Sequence, residues 1–230
     1  MKIAGIQKLT LLDYPGHTAC TVFIQGCNFR CPFCHNSDLL KGSSQSVIEK
    51  EEFFEFLSLR KGKLDGVCIT GGEPLLQPDT VEFIKEIRSL GFLVKLDTNG
   101  SFYEKLQYII ENKLCDYVAM DVKNIPEKYN STCGGMVNVE SVLKSISLLI
   151  NQREIDYELR TTVVKELHAK EDFKGLATLL KGAKRYYLQQ YKYSEKVLKG
   201  DLSAYSESQM QELCEIVKAG GLENCFLRGI

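Results

Sequence analysis

The sequence predicts an α/β fold, an incomplete (β/α)6 TIM-like barrel of parallel strands. Short apolar runs rich in β-branched and aromatic residues alternate about six times with stretches of helical periodicity. Repeated units of this kind require parallel strands joined by right-handed crossovers. A complete eightfold barrel typically needs about 250 residues, whereas this chain has 230 residues. A doubly wound open sheet is the alternative architecture.

The predicted elements follow one another in a single domain, 1–230. Residues 1–17 are expected to be an N-terminal extension before the first strand, and residues 191–230 a C-terminal lid with a closing helix. We predict strands at 19–24, 66–70, 92–96, 117–120, 156–164, 185–189 and 225–227, and helices at 48–59, 79–90, 102–111, 139–150, 169–180 and 207–218.

Composition excludes several classes of function. The net charge is -1, so no basic footprint attracts nucleic acid or an anionic membrane surface. The first residues lack the apolar core of a secretory signal, and no apolar run is long enough to span a membrane. We therefore expect a cytoplasmic protein with reduced thiols rather than a disulfide framework.

Four polar segments each follow a predicted strand. In parallel α/β folds the carboxyl ends of the strands converge on one edge, and ligands bind there. The segments are Gly26-Cys27 after strand 19–24, Gly71-Gly72-Glu73-Pro74 after strand 66–70, Asp97-Thr98-Asn99-Gly100 after strand 92–96, and Asp121-Val122-Lys123 after strand 117–120.

Three of the nine cysteines are clustered. Cys27, Cys31 and Cys34, called here the cysteine triad, have the spacing C-x3-C-x2-C on the loop after the first predicted strand. Cysteine thiolates are the ligands of Fe–S clusters, and three of them leave one iron of a four-iron cluster open to a substrate. Zinc with His35 as fourth ligand is the alternative, but adjacent Cys34 and His35 would strain to bind one ion.

The other six cysteines are dispersed along the chain and are expected to be small buried apolar residues. They are Cys20, Cys68, Cys115, Cys133, Cys214 and Cys225. Cys133, in Ser-Thr-Cys-Gly-Gly, is expected on a loop, and its role stays open. The role of the Lys- and Tyr-rich segment 181–199 is also open; a buried strand followed by a solvated loop is the favoured interpretation.

These motifs resemble those of the radical S-adenosylmethionine (SAM) superfamily. The cysteine triad, with Phe33 before its third cysteine, resembles the superfamily signature, and Gly71-Gly72-Glu73-Pro74 is similar to its Gly-Gly-Glu-Pro motif. The segments that begin at Asp97 and Asp121 resemble those of glycyl-radical-enzyme activases such as pyruvate formate-lyase activating enzyme. The opening residues 5–36 are most similar to activating proteins of the anaerobic ribonucleoside-triphosphate reductase.

The resemblance implies a set of cofactors and site residues. The cysteine triad would hold a [4Fe-4S] cluster that cleaves SAM reductively to methionine and a 5′-deoxyadenosyl radical. Residues 36–67 contain no cysteine, so one cluster is expected. As in similar activases, Asp97, Thr98 and Asp121 would help to form a monovalent-cation site, and capping of the next turn is the alternative for the two aspartates. Lys123 and Arg160, expected at the same edge, would contact a carboxylate or the ribose, and ordinary ion pairing is their alternative. The full set of expected cofactor-binding residues is Phe33, Gly71, Gly72, Glu73, Asp97, Thr98, Asp121, Lys123 and Arg160.

The same resemblance implies the partners. The radical would abstract a glycine Cα hydrogen from a glycyl radical enzyme, with anaerobic ribonucleotide reductase as the first candidate. A flavodoxin or ferredoxin-type protein would supply the electron. Two alternatives stay open: a radical SAM enzyme acting on a small molecule or peptide, and a zinc-bound interaction module.

Overall fold

The structure is a computed structural model that describes residues 1–40 and 48–230. Its strands are β1 (Ile3–Thr10), β2 (Ala19–Ile24), β3 (Gly66–Gly71), β4 (Leu93–Thr98), β5 (Tyr117–Asp121), β6 (Asp156–Val163), β7 (Tyr186–Gln190) and β8 (Cys225–Arg228). Its α-helices are α1 (Lys50–Ser58), α2 (Thr80–Ser89), α3 (Tyr103–Glu111), α4 (Tyr129–Thr132), α5 (Val139–Asn151), α6 (Lys170–Leu179) and α7 (Glu207–Ala219).

The strands form one sheet whose spatial order is the order of the chain, β1 to β8. Every pair from β2–β3 to β7–β8 is parallel. A doubly wound sheet reverses its strand order at a switch point, and this order does not reverse. Within the described residues β1 and β8 do not pair, so the sheet is an unclosed barrel and the predicted fold class is confirmed.

The N-terminal extension is the part of the fold that the sequence prediction had wrong. Residues 3–10 form β1, which pairs antiparallel with β2. Such an antiparallel edge strand has no helix before or after it, so the βα alternation does not announce it. The N-terminal amine of Met1 forms an ion pair with Asp79, which ties this strand to the start of α2.

The core lies between the sheet and the helices packed on its outer face. Phe53 of α1 and Phe83 of α2 are fully buried or nearly so, and their rings stack with centroids 5.3 Å apart. Helix α7 begins with a capping box in which the Ser206 hydroxyl accepts from Gln209 N and the Gln209 side chain accepts from Ser206 N. No helix in the described part of the chain has the length and apolar character needed to span a membrane.

Candidate functional site

The carboxyl ends of β2 to β6 surround one cavity. All three thiols of the cysteine triad line it, and so does every predicted cofactor-binding residue except Glu73. The strands supply these residues in chain order, because parallel neighbours end at the same edge of the sheet. Those lining residues are Phe33, Gly71, Gly72, Asp97, Thr98, Asp121, Lys123 and Arg160.

The cysteine loop is held in place by its own backbone and by α4. Cys34 N donates to Cys31 O at 3.0 Å, and Arg30 N donates to Cys133 O at 2.9 Å. A Cβ on Gly134, which has a positive φ, would lie 2.1 Å from Arg30 O. This close approach explains the glycine that follows Cys133.

The six dispersed cysteines are all buried, as predicted. Cys133 lies in the turn directly after Thr132, the last residue of α4, as the sequence led us to expect. A hydrogen bond from its thiol lowers the pKa of Cys31. Burial raises the pKa of Cys27 to about 12 and also raises the pKa of Cys34.

The segment after β7 covers the outer side of the cysteine loop. Lys199 N donates to Pro32 O at 3.0 Å, and the Ser37 hydroxyl donates to Lys196 O. The His35 ring stacks on Tyr191 with centroids 5.7 Å apart, and its Nε2 contacts the Lys192 carbonyl. The loop part of the Lys- and Tyr-rich segment therefore supports the cysteine loop.

The two glycines after β3 are explained by packing between loops. A Cβ on Gly71 would lie 2.3 Å from the main chain of Ile24, and a Cβ on Gly72 would lie 2.0 Å from Gly26 O. Main-chain hydrogen bonds join the same segments: Gly72 N to Ile24 O at 2.9 Å, and Glu73 N to Gly26 O at 2.8 Å. The glycines thus bring the Gly-Gly-Glu-Pro segment against the base of the cysteine loop.

Glu73 points away from the cavity into the protein. Its carboxylate is fully buried and accepts hydrogen bonds from Leu75 N, from the Thr98 hydroxyl at 2.9 Å and from Asn99 N at 2.6 Å. Burial raises the pKa of Glu73 to about 7. These hydrogen bonds join the ends of β3 and β4, which gives Glu73 a positioning role, and its contact with the cofactor stays a prediction.

Asp97 and Asp121 belong to a buried ion-pair network with Arg160 at its centre. Arg160 contacts Asp97 at 3.0 Å and Asp121 at 2.5 Å, while Lys95 pairs with Asp97 and Lys123 pairs with Asp121 at 2.8 Å. Burial alone would raise the pKa of both carboxyls, but Arg160 and the lysines hold each pKa below its usual value. The ion pairs thus keep both groups ionised.

This network bears on the predicted monovalent cation. Thr98 uses its hydroxyl to donate to Glu73, and both aspartates already have protein cations as partners. A bound cation would have to compete with Arg160 for the same oxygens. The cation site therefore stays a prediction.

The similarity of this chain to known proteins establishes its family. The sequence model of the Radical SAM superfamily matches residues 21–182. This chain belongs to the radical SAM superfamily. A Methanocaldococcus jannaschii protein provisionally named as a glycyl-radical enzyme activating enzyme is 33% identical over 99% of this chain and 96% of its own length. The pyruvate formate-lyase-activating enzyme of Clostridium pasteurianum is 29% identical over 78% of this chain and 76% of its own.

Solved structures show the same fold. SuiB of Streptococcus suis superposes with a TM-score of 0.67 at 15% identity, over 89% of this chain and 47% of its own. Together the sequence relatives group this radical SAM enzyme with the glycyl-radical enzyme activating enzymes.

Membership of the superfamily implies a [4Fe-4S] cluster and SAM as cofactors. The donor set fits such a cluster, since three thiols of one loop face one cavity and Phe29 N–H already donates to Cys27 Sγ at 3.3 Å. Among residues 1–40 and 48–230, no three His, Cys, Asp or Glu side chains are arranged to hold a single metal ion. Because the chain belongs to the radical SAM superfamily, a cluster is favoured over zinc as the occupant of the cysteine triad.

Two residues of this radical SAM site were missed from the sequence. Lys95 is 2% exposed and pairs with Asp97 inside the barrel, and Asn99 lies 5% exposed against the cysteine loop. The i, i+2 spacing of Lys95 and Asp97 places both on one face of β4, and this spacing was the signal available for Lys95.

Proposed function

We propose that this protein is an activase that generates a radical on a glycine Cα of a partner enzyme. One observation carries the proposal: the cysteine triad and the ends of five neighbouring parallel strands line a single cavity in a chain whose relatives are named as activating enzymes. Residues 1–230 act as one catalytic domain, with 191–230 as its lid and closing helix.

The cysteine triad is proposed to hold the cluster. When bound, the cluster and SAM supply one piece of chemistry: a single electron cleaves the sulfonium to methionine and a 5′-deoxyadenosyl radical, which takes a hydrogen atom from glycine to give 5′-deoxyadenosine. A low-potential flavodoxin or ferredoxin-type protein in the cytoplasm would supply that electron. Neither nucleic acid nor a membrane takes part.

The ion-pair network is proposed to orient the cofactor. Lys123 and Arg160 line the cavity, and Asp97 and Asp121 fix the positions of their charged ends. With Lys95 on Asp97, and with Glu158 shared between Arg160 and Arg228, the network has four cations for three carboxylates, which leaves one net positive charge for the SAM carboxylate. Phe33 closes one side, with Lys123 Nζ 5.7 Å from the centre of its ring.

The partner is proposed to be a glycyl radical enzyme. The opening segment of the chain favours anaerobic ribonucleotide reductase, and the names of the relatives add pyruvate formate-lyase as a second candidate. Hydrogen transfer requires near contact between donor and radical, so a glycine loop of the partner must reach the cavity. The gap between β1 and β8 leaves the barrel open for it.

The test is an electron paramagnetic resonance (EPR) spectrum of each candidate partner after incubation with the reconstituted protein, SAM and a strong reductant under anaerobic conditions. A glycyl doublet that collapses when the partner carries α-deuterated glycine supports the proposal. SAM cleavage with no doublet on any glycyl radical enzyme of the host would indicate a small-molecule or peptide substrate instead.

A further inference from the structure

The Cys27 sulfur is in contact with the side-chain amide of Asn99, a residue that is not among the predicted site residues. Asn99 Nδ2 lies 3.9 Å from Cys27 Sγ, on the cavity that holds the cysteine triad. The second donor to this sulfur is Phe29 N–H, at 3.3 Å. Asn99 is 5% exposed, so water does not compete freely for its amide group.

The hydrogen-bond network fixes which end of this amide faces the sulfur. Asn99 Oδ1 accepts from Ser101 N at 3.0 Å and from the Ser101 hydroxyl at 2.6 Å. A backbone N–H can only donate, so this end must be the oxygen. The nitrogen therefore faces Cys27 and donates to Asn28 Oδ1 at 3.0 Å.

The Asn99 backbone is held by the Gly-Gly-Glu-Pro segment. Glu73 accepts from Asn99 N through one carboxylate oxygen at 2.6 Å and from the Thr98 hydroxyl through the other at 2.9 Å. Asn28 closes the arrangement, since its own amide donates to the Ser101 hydroxyl at 2.8 Å. Hydrogen bonds within and between three loops therefore hold the Asn99 amide against the Cys27 sulfur.

We propose that Asn99 is a positioning residue that donates a hydrogen bond to the Cys27 thiolate and raises the reduction potential of the cluster. The proposal rests on the cluster site proposed above. One-electron reduction makes the cluster more negative, and an N–H donor on a ligand sulfur stabilises the more negative state. Glu73 acts through Asn99 by fixing its backbone.

The experiment is an EPR-monitored redox titration of the reconstituted full-length protein in the absence of SAM. Asn99→Leu keeps a similar volume and loses the donor, so the midpoint potential should fall. We expect the ratio of reduced to oxidised cluster at a fixed potential to fall about threefold to tenfold, where tenfold corresponds to 59 mV for one electron. Asn99→Asp keeps the oxygen that accepts from Ser101 but replaces the donor with a negative charge, so its potential should fall at least as far.

The matched control is Asn112→Leu, the same change at the exposed C-terminal end of α3, where the side-chain amide donates to Tyr108 O. Its potential should equal that of the wild type. A purely structural role for Asn99 would lower iron content and leave the potential of the loaded fraction unchanged.

Equal midpoint potentials for wild type, Asn99→Leu and Asn99→Asp at equal iron content would overturn the inference. If Asn99→Leu fails to load, Asn99→Ala, which is also neutral and lacks the donor, takes its place in the same titration. Full iron content in Cys27→Ala would instead overturn the proposed cluster site, and with it this role of Asn99.

Discussion

Replacing Gly72 by alanine distinguishes two explanations for the glycines of the Gly-Gly-Glu-Pro segment: close approach of SAM, and packing against the base of the cysteine loop. The resemblance to the radical SAM superfamily assigned Gly72 to cofactor binding, for which a missing Cβ would let SAM approach the end of the strand. The structure places a Gly72 Cβ 2.0 Å from Gly26 O and 2.6 Å from Gly26 C, so main chain must move by more than an ångström. If packing is the reason for this glycine, Gly72→Ala should destabilise the protein even when no cofactor is bound.

The magnitude follows from the contacts at this position. Forcing a methyl group into a packed site typically costs about 1–3 kcal/mol. The movement also breaks the hydrogen bonds from Gly72 N to Ile24 O and from Glu73 N to Gly26 O, at about 1 kcal/mol each. We expect Gly72→Ala to lower the free energy of unfolding by about 3–5 kcal/mol.

Urea unfolding of the reduced apoprotein measures this change, with SAM binding by the reconstituted protein measured in parallel. Gly5→Ala is the matched control, because its Cβ would meet no atom of residues 1–40 or 48–230 within 4 Å. Its stability should stay within about 0.5 kcal/mol of wild type. Wild-type stability in Gly72→Ala combined with lost SAM binding would refute the packing argument and restore cofactor approach as the reason for this glycine.

Three further predictions follow from the site. Arg160→Met leaves the buried carboxylates of Asp97 and Asp121 with one lysine each and should lower the free energy of unfolding by about 3 kcal/mol. Arg153→Met, at an exposed side chain that donates to the nearby carbonyls of Ile150 and Gln152, should change it by less than about 0.5 kcal/mol in the same urea assay. Burial raises the pKa of Glu73 from 4.5 to about 7, so the folded state binds the carboxyl proton more tightly than the unfolded state does. As the pH rises from 4.5 to 7, the free energy of unfolding of the wild type should therefore fall by roughly 3 kcal/mol relative to that of Glu73→Gln. Parallel pH profiles of the two proteins would contradict this prediction. Alanine at any position of the cysteine triad should abolish the cluster, whereas Cys20→Ala should retain it. The measurement is iron analysis after anaerobic reconstitution, and full iron content in a triad variant would contradict the prediction.

The sequence predicted the parallel strands well because each is a short apolar run between turn residues. It also placed the cysteine triad and the strand-end segments on one edge, since parallel strands leave no other arrangement. Strand β1 was missed because it pairs antiparallel with β2 and adds no βα unit. Its pairing is a property of the assembled sheet rather than of local periodicity.

The partners of individual side chains were much harder to predict. Arg160 and Asp97 are 63 residues apart in the chain, and no local pattern reports that they form an ion pair. Glu73 was expected at the cofactor because the motif contains it, yet its carboxylate turns inward to bind Asn99 N. Motifs identify which loops form a site, and only packing decides which side chains face it.

The most direct test of the account is the fate of the glycine hydrogen. A candidate partner enzyme labelled with α-deuterated glycine is incubated anaerobically with the reconstituted protein, SAM and reductant, and the 5′-deoxyadenosine formed is analysed by mass spectrometry. We expect 5′-deoxyadenosine that carries one deuterium from the partner, in an amount that matches the glycyl radical measured by EPR. Unlabelled 5′-deoxyadenosine together with an unchanged partner would contradict it.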